Sequence, residues 1–143
     1  VRLKTFLEMR GADGGPWARL CALSAFWVGL LYDDAAREAA WNLIKDWSVE
    51  EMTTLRDEVP RTALKTPFRD GTVREIAIDA LRIARKGLKN RARLDSTGMD
   101  ETHFLKPMNR IAESGFTPAE ELLSAFEHRW EKNVDPVFQE YAY

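Results

Sequence analysis

The run VRLKTFLEMRGADGGPWARLCALSAFWVGLLYDD, residues 1–34, decides how this chain folds. Its first ten residues alternate strictly. Val1, Leu3, Thr5, Leu7 and Met9 share one side, and Arg2, Lys4, Phe6, Glu8 and Arg10 share the other. A period of two is that of a strand with one covered face, so one N-terminal β-strand is expected. The tract GADGGP at 11–16 breaks the pattern, because glycine accepts backbone angles that other residues resist. Pro16 then stands where a helix begins, a position at which its missing N–H costs nothing. Residues 17–32 are apolar nearly all round, the mark of a helix enclosed by others. The stretch is too short to span a bilayer and carries Arg19.

Outward from this run the period becomes helical. A helix over 35–47 is expected, with Asp34 as its N-cap. Ser48 and Glu51 have the spacing of a capping box for a helix to about residue 58, and Thr72 with Glu75 and Thr117 with Glu120 repeat that spacing. After Thr72, the residues Val73, Ile76, Ala77, Ala80, Leu81, Ala84 and Leu88 fall on one face. A loop is expected over 60–71 and another over 89–99. Helices follow over 101–113 and from Pro118 to about residue 130, and a short one in the tail, 134–143.

The length, 143 residues, suits one domain with a real core. Hydrophobic residues make up 45% and charged residues 31%, which excludes a disordered chain. With a net charge of −2, no strong field favours nucleic acid or an anionic membrane as partner. Cys21 has no cysteine to pair with inside the chain. That fits a reducing compartment, and a cytoplasmic location is expected. The chain opens without methionine, in the middle of an alternating run, which reads as a piece of a longer protein.

The charged face of residues 1–10 has two readings. Arg2, Lys4, Glu8 and Arg10 combine three cations with one carboxylate. Phosphoryl transfer needs such a set, with a carboxylate for Mg²⁺ and cations for the phosphoryl oxygens. A solvated sheet face with cross-strand ion pairs is the simpler account on pattern alone. The glycine tract matches neither a P-loop nor a dinucleotide fingerprint, and is more simply a tight connection. The stretch Lys65-Thr66-Pro67-Phe68-Arg69-Asp70-Gly71 either touches a nucleotide or is a capped loop with surface charge. The acidic pairs Asp33–Asp34, Glu50–Glu51 and Glu120–Glu121 lie near helix starts and read as caps. His103 and His128 lack metal-ligand spacing and read as structural or surface residues. Cys21, inside an apolar helix, reads as structural.

A resemblance carries the reading further. The opening run, together with LKTPFRDG at 64–71, GFTPAEELL at 115–123 and VDPVFQEYAY at 134–143, resembles the C-terminal portion of glutamate–cysteine ligases of the plant and alphaproteobacterial type. Ser24 stands where that family usually has proline, and Glu131-Lys132-Asn133 replaces a small, glycine-containing stretch. The resemblance implies an α+β parent fold, a glutamine-synthetase-like catalytic cradle. Residues 1–11 would be its cradle strand and 16–143 a mostly α-helical block. It also implies ATP-dependent joining of L-glutamate, through γ-glutamyl phosphate, to L-cysteine, the first step of glutathione synthesis. By the match of Glu8-Met9-Arg10 to the family's Glu-x-Arg, Glu8 would hold Mg²⁺ and Arg10 would be catalytic. Arg2 and Lys4 would serve the ATP phosphates. Another carboxylate–amine ligase of the same superfamily, or a non-catalytic helical module, are the alternatives. One strand cannot make a cradle, so the 143-residue chain alone is expected to be inactive.

Overall fold

The computed structural model describes residues 2, 3, 5, 7, 8, 11, 12 and 14–142, with Arg2, Leu3 and Leu7 described by backbone alone. The expected single strand is a hairpin. β1 (Arg2–Leu3) and β2 (Leu7–Glu8) pair antiparallel, with Arg2 opposite Glu8 and Leu3 opposite Leu7. An alternating pattern demands only a covered face, and a hairpin meets that demand equally well. It also pairs backbone N–H and C=O groups that a lone strand would leave open.

α1 (Trp17–Leu31) starts directly after Pro16, as its composition predicts. It packs on α4 (Val73–Arg91), whose buried residues Leu81, Ala84, Gly87 and Leu88 form one stripe. The two helices touch backbone to backbone. A Cβ built on Gly87 would lie 1.9 Å from the Gly29 carbonyl oxygen, and one on Gly29 would lie 2.3 Å from that of Ala84. Around this crossing sit Leu30, Leu81, Ala84 and Leu88. A 3-10 turn (Glu101–Leu105) and α5 (Lys106–Ser114) close the far side with Leu105 and Ala112.

α2 (Asp34–Ile44) covers α4 from the other side. Its cap is Asp33, not the expected Asp34. Asp33 has the extended backbone that a cap requires, and its Oδ1 accepts from the Ala36 N–H at 2.8 Å. Its Oδ2 accepts from Asn90 Nδ2 of α4 at 3.1 Å, so the cap also ties two helices together. α3 (Val49–Thr62) runs four residues past the expected end and contains Pro60. A proline in the last turn removes only one hydrogen bond, and the helix ends soon after at Ala63, φ 50°.

The expected loop at 60–71 holds a second hairpin, β3 (Pro67–Phe68) and β4 (Gly71–Thr72). Its two-residue turn has Arg69 at φ 50°. The left-handed angle twists the turn to match the strands. All three capping boxes form, at Ser48/Glu51, Thr72/Glu75 and Thr117/Glu120. Arg74, in the first turn of α4, donates to the carbonyls of Ala112 (2.8 Å) and Glu113, which closes the end of α5.

α6 (Pro118–Ser124) widens into a π turn (Ala125–Arg129), and α7 (Val137–Glu140) is a single turn in the tail. Between them Glu131 (φ 48°) and Lys132 (φ 64°) are both left-handed. Each such angle costs an L-residue roughly 1–2 kcal/mol. Glycine would avoid this and add about 0.5–1 kcal/mol of unfolded-state entropy. Strain wins, so Lys132→Gly in the full-length protein is expected to gain about 0.5–1 kcal/mol, read as a rise in denaturation midpoint; a fall would show that this bend is unstrained. No helix among the described residues is long and apolar enough to cross a membrane.

Candidate functional site

The hairpin β1–β2 changes the geometry of the charged residues. On one extended strand Arg2 and Glu8 would lie roughly 20 Å apart at about 3.3 Å per residue. Paired across the hairpin, they sit opposite each other, a separation of about 5 Å between Cα atoms. Of the four expected site residues, the structure therefore brings these two together. Lys4 and Arg10 lie outside the described residues. Nothing in Lys4-Thr5-Phe6 carries the glycine or asparagine of a standard tight turn, so the hairpin has no local sequence signal.

Glu8 is half-buried, with its Oε2 withdrawn from solvent. A carboxylate is the donor type that a hard divalent cation takes. Among the described residues no group of three His, Cys, Asp or Glu side chains could hold a metal. Of the glycine tract that follows, Gly11 and Gly14 would accept a Cβ in open space, so packing against the described residues does not require glycine there. Asp13 lies outside the described residues.

The 65–71 stretch resolves towards its simpler reading. Arg69 grips Glu51 through both oxygens, Nε to Oε1 at 2.7 Å and Nη2 to Oε2 at 2.9 Å, and Nη2 also donates to the Asp46 carbonyl at 2.7 Å. Its guanidinium lies over Phe68, which packs on Trp47. Lys65 Nζ meets Glu120 Oε1 at 2.7 Å and covers the Phe116 ring. Both cations are fasteners from this stretch to helix starts. The cause is the capping boxes themselves: Glu51 and Glu120 point back at helix starts, and each leaves an oxygen for a cation.

These carboxylates set an acid response. The Arg69 hydrogen bonds, then the Ser48 N–H, lower Glu51 from 4.5 to about 2; the Lys65 hydrogen bond, then the Thr117 N–H, do the same to Glu120. A carboxyl with a depressed folded pKa binds protons more readily when unfolded. Its contribution is complete above pH 4.5 and is lost as pH falls through about 2. Melting temperature in the full-length protein is therefore expected to drop between pH 5 and 2. Arg69→Gln should lower it at pH 7 and flatten part of that slope; an unchanged slope would show that the pair contributes nothing.

The other titratable candidates are placed plainly. Asp33 caps α2, and Glu51 and Glu120 accept from the N–H groups of the caps Ser48 and Thr117, the helix-start roles the acidic pairs predict. His103 Nδ1 lies 2.6 Å from the Asp100 carbonyl oxygen and its ring stacks on Phe104, a structural position. His128 is exposed. Cys21 is a free thiol and half-buried, not enclosed in the core as expected. It lines a shallow cleft of about 340 Å³ with Trp17, Ser24, Glu101 and Phe104. The fully enclosed position is the next one, Ala22, because the face of α1 that meets the core passes through Ala22, Ala25 and Gly29. The Ser24 hydroxyl bonds back to the Leu20 carbonyl at 3.3 Å.

Comparison with known proteins gives the class first: the matched proteins are ligases. The chain belongs to glutamate–cysteine ligase family 2, whose sequence model matches residues 1–140. Among its relatives, the chloroplastic glutamate–cysteine ligase A of Oryza sativa subsp. indica is 52% identical over the whole chain, which spans 28% of that protein. The chloroplastic ligases of Arabidopsis thaliana and Nicotiana tabacum are 52% and 49% identical over the whole chain, which spans 26% of each. These relatives are named as chloroplast proteins, and that overturns the cytoplasmic location expected from the cysteine content. A lone thiol speaks to redox conditions, and a reducing compartment need not be the cytosol.

Proposed function

We propose that the protein to which this chain contributes is an ATP-dependent glutamate–cysteine ligase. The observation that carries this reading is the family match across residues 1–140, which takes in the charged opening run. In the reaction, the γ-carboxylate oxygen of glutamate attacks the terminal phosphorus of ATP and ADP leaves. The cysteine amine then attacks the acyl carbon, and phosphate leaves with γ-glutamylcysteine formed. The parent fold is proposed to be an α+β, glutamine-synthetase-like cradle, with residues 1–11 in its sheet and 16–143 as a helical block beside it.

Within that scheme Glu8 is a Mg²⁺ ligand. The metal, when bound, neutralises charge on the phosphate oxygens. Arg10 grips the transferring phosphoryl group or a substrate carboxylate by its planar fork. Arg2 and Lys4 serve the nucleotide phosphates, with Arg2 set opposite Glu8 by the hairpin. The substrates are small molecules, and the overall charge of −2 adds no attraction to nucleic acid.

The test is ADP release by the full-length protein with glutamate and a panel of amines. Glutamate-dependent turnover with cysteine and formation of γ-glutamylcysteine is the expected result. Turnover with a different amine would reassign it within the ligase superfamily. No nucleotide turnover with any amine would leave the helical interaction module as the reading. The 143-residue chain by itself is expected to show none.

A further inference from the structure

Among the described residues, the tail is tied down around Trp130. α7 has no buried residue, and Val134 and Phe138 are exposed. Glu140 reaches back to the π turn with both oxygens. Its Oε1 accepts from the Trp130 indole N–H at 3.0 Å, and its Oε2 meets Arg129 Nη2 at 2.5 Å. Trp130 is the anchor, only 7% exposed, and the Tyr141 ring stands edge-on to it at 6.1 Å. A segment with little buried apolar area and one polar latch belongs to the low-stability end of a fold.

That segment forms a wall of the largest groove among those described, about 850 Å³. Val137, Phe138 and Tyr141 line it together with Leu20 of α1 and with Ala12 and Gly14. Those last two belong to the glycine tract directly after the candidate site hairpin. Gly11 and Gly14 there meet open space on the described side, and Gly15 meets the Arg19 side chain.

The geometry points to residues 133–142 as a positioning strap, latched through Glu140, that supports the 11–15 tract and through it the charged hairpin. This rests on the ligase reading for its catalytic consequence and on the latch geometry alone for its structural one. The strap touches no reacting group, and its effect is on the order of the tract that does the connecting.

Hydrogen exchange and steady-state kinetics of full-length Glu140→Ala, Trp130→Phe and the swap Arg129→Glu/Glu140→Arg test it. Removing the latch should speed amide exchange over 133–142 by about tenfold or more, the scale of losing a charge-assisted hydrogen bond. Exchange over residues 11–16 should rise with it, and kcat should fall more than KM changes. Trp130→Phe, which keeps an aromatic ring and removes the N–H donor, should loosen the tail in the same direction, and the swap, which rebuilds the ion pair but gives the indole N–H no acceptor, should restore part of the protection. Core amides of α4 report global unfolding; if Glu140→Ala loses them, Trp130→Phe decides. Unchanged exchange in the tail would overturn the latch. A loosened tail with the 11–16 amides and kinetics unchanged would overturn its action on the site. Exchange reads out even if the acceptor amine differs from cysteine, so failure of the ligase reading would be seen separately.

Discussion

Gly87→Ala is expected to unfold the helical block or leave it with loosened packing. The added Cβ would sit 1.9 Å from the Gly29 carbonyl oxygen, and its neighbour there is backbone, which cannot rotate aside. α1 and α4 would have to separate along the crossing that carries Leu30, Leu81, Ala84 and Leu88. Ordinary overpacking by a methyl costs about 1–3 kcal/mol where side chains can adjust. Here whole helices must move, so a loss of at least about 3 kcal/mol is expected, a large part of a typical domain's stability. Gly29→Ala meets the Ala84 carbonyl at 2.3 Å and should behave alike. Urea denaturation of the full-length variants measures this. A midpoint within error of the parent would mean that the crossing is looser than described.

The second large effect falls on chemistry rather than stability. Glu8→Gln keeps size and hydrogen-bonding capacity but removes the negative charge that a divalent cation needs. The full-length variant should demand far more Mg²⁺ or lose turnover by about 10²-fold or more, the scale of losing one transition-state partner. Arg10→Lys keeps charge and loses the planar fork, and its kcat should fall on the order of 10²–10³-fold. Lys4→Ala is the graded comparison, because a flexible point charge at the edge of the site should matter less. Circular dichroism must show native helix content in each. A folded Arg10→Lys variant turning over like the parent would return the hairpin to a solvated surface and remove these residues from the mechanism.

The two predictions differ in how far each was legible in advance. The catalytic candidates came from an alternating run plus a family resemblance, with no help from three-dimensional contacts. The glycine crossing had no such signal. Gly29 and Gly87 sit inside helical patterns, where glycine is merely unfavourable, and only the approach of α1 to α4 shows what each is for. Fasteners were hidden in the same way. Arg69 and Lys65 looked like free surface cations until Glu51 and Glu120, 18 and 55 residues away, came within reach.

The sequence by itself determined the helical character of the chain, the start of α1 at Pro16, and all three capping boxes. These depend on interactions within four residues, which spacing alone encodes. It also determined the family, because motif identity does not pass through geometry. Tertiary structure decided that Arg2–Leu3 and Leu7–Glu8 pair as a hairpin, that Asp33 rather than Asp34 caps α2, that Cys21 lines a cleft, and that the 65–71 stretch fastens helices. The hairpin turns on a facing strand close in sequence; the others turn on Asn90, on the face of α1 that meets the core, and on Glu51. Alternation cannot tell one strand from two, and adjacent aspartates cannot be ranked as caps, until the chain has folded enough to supply the group that chooses between them.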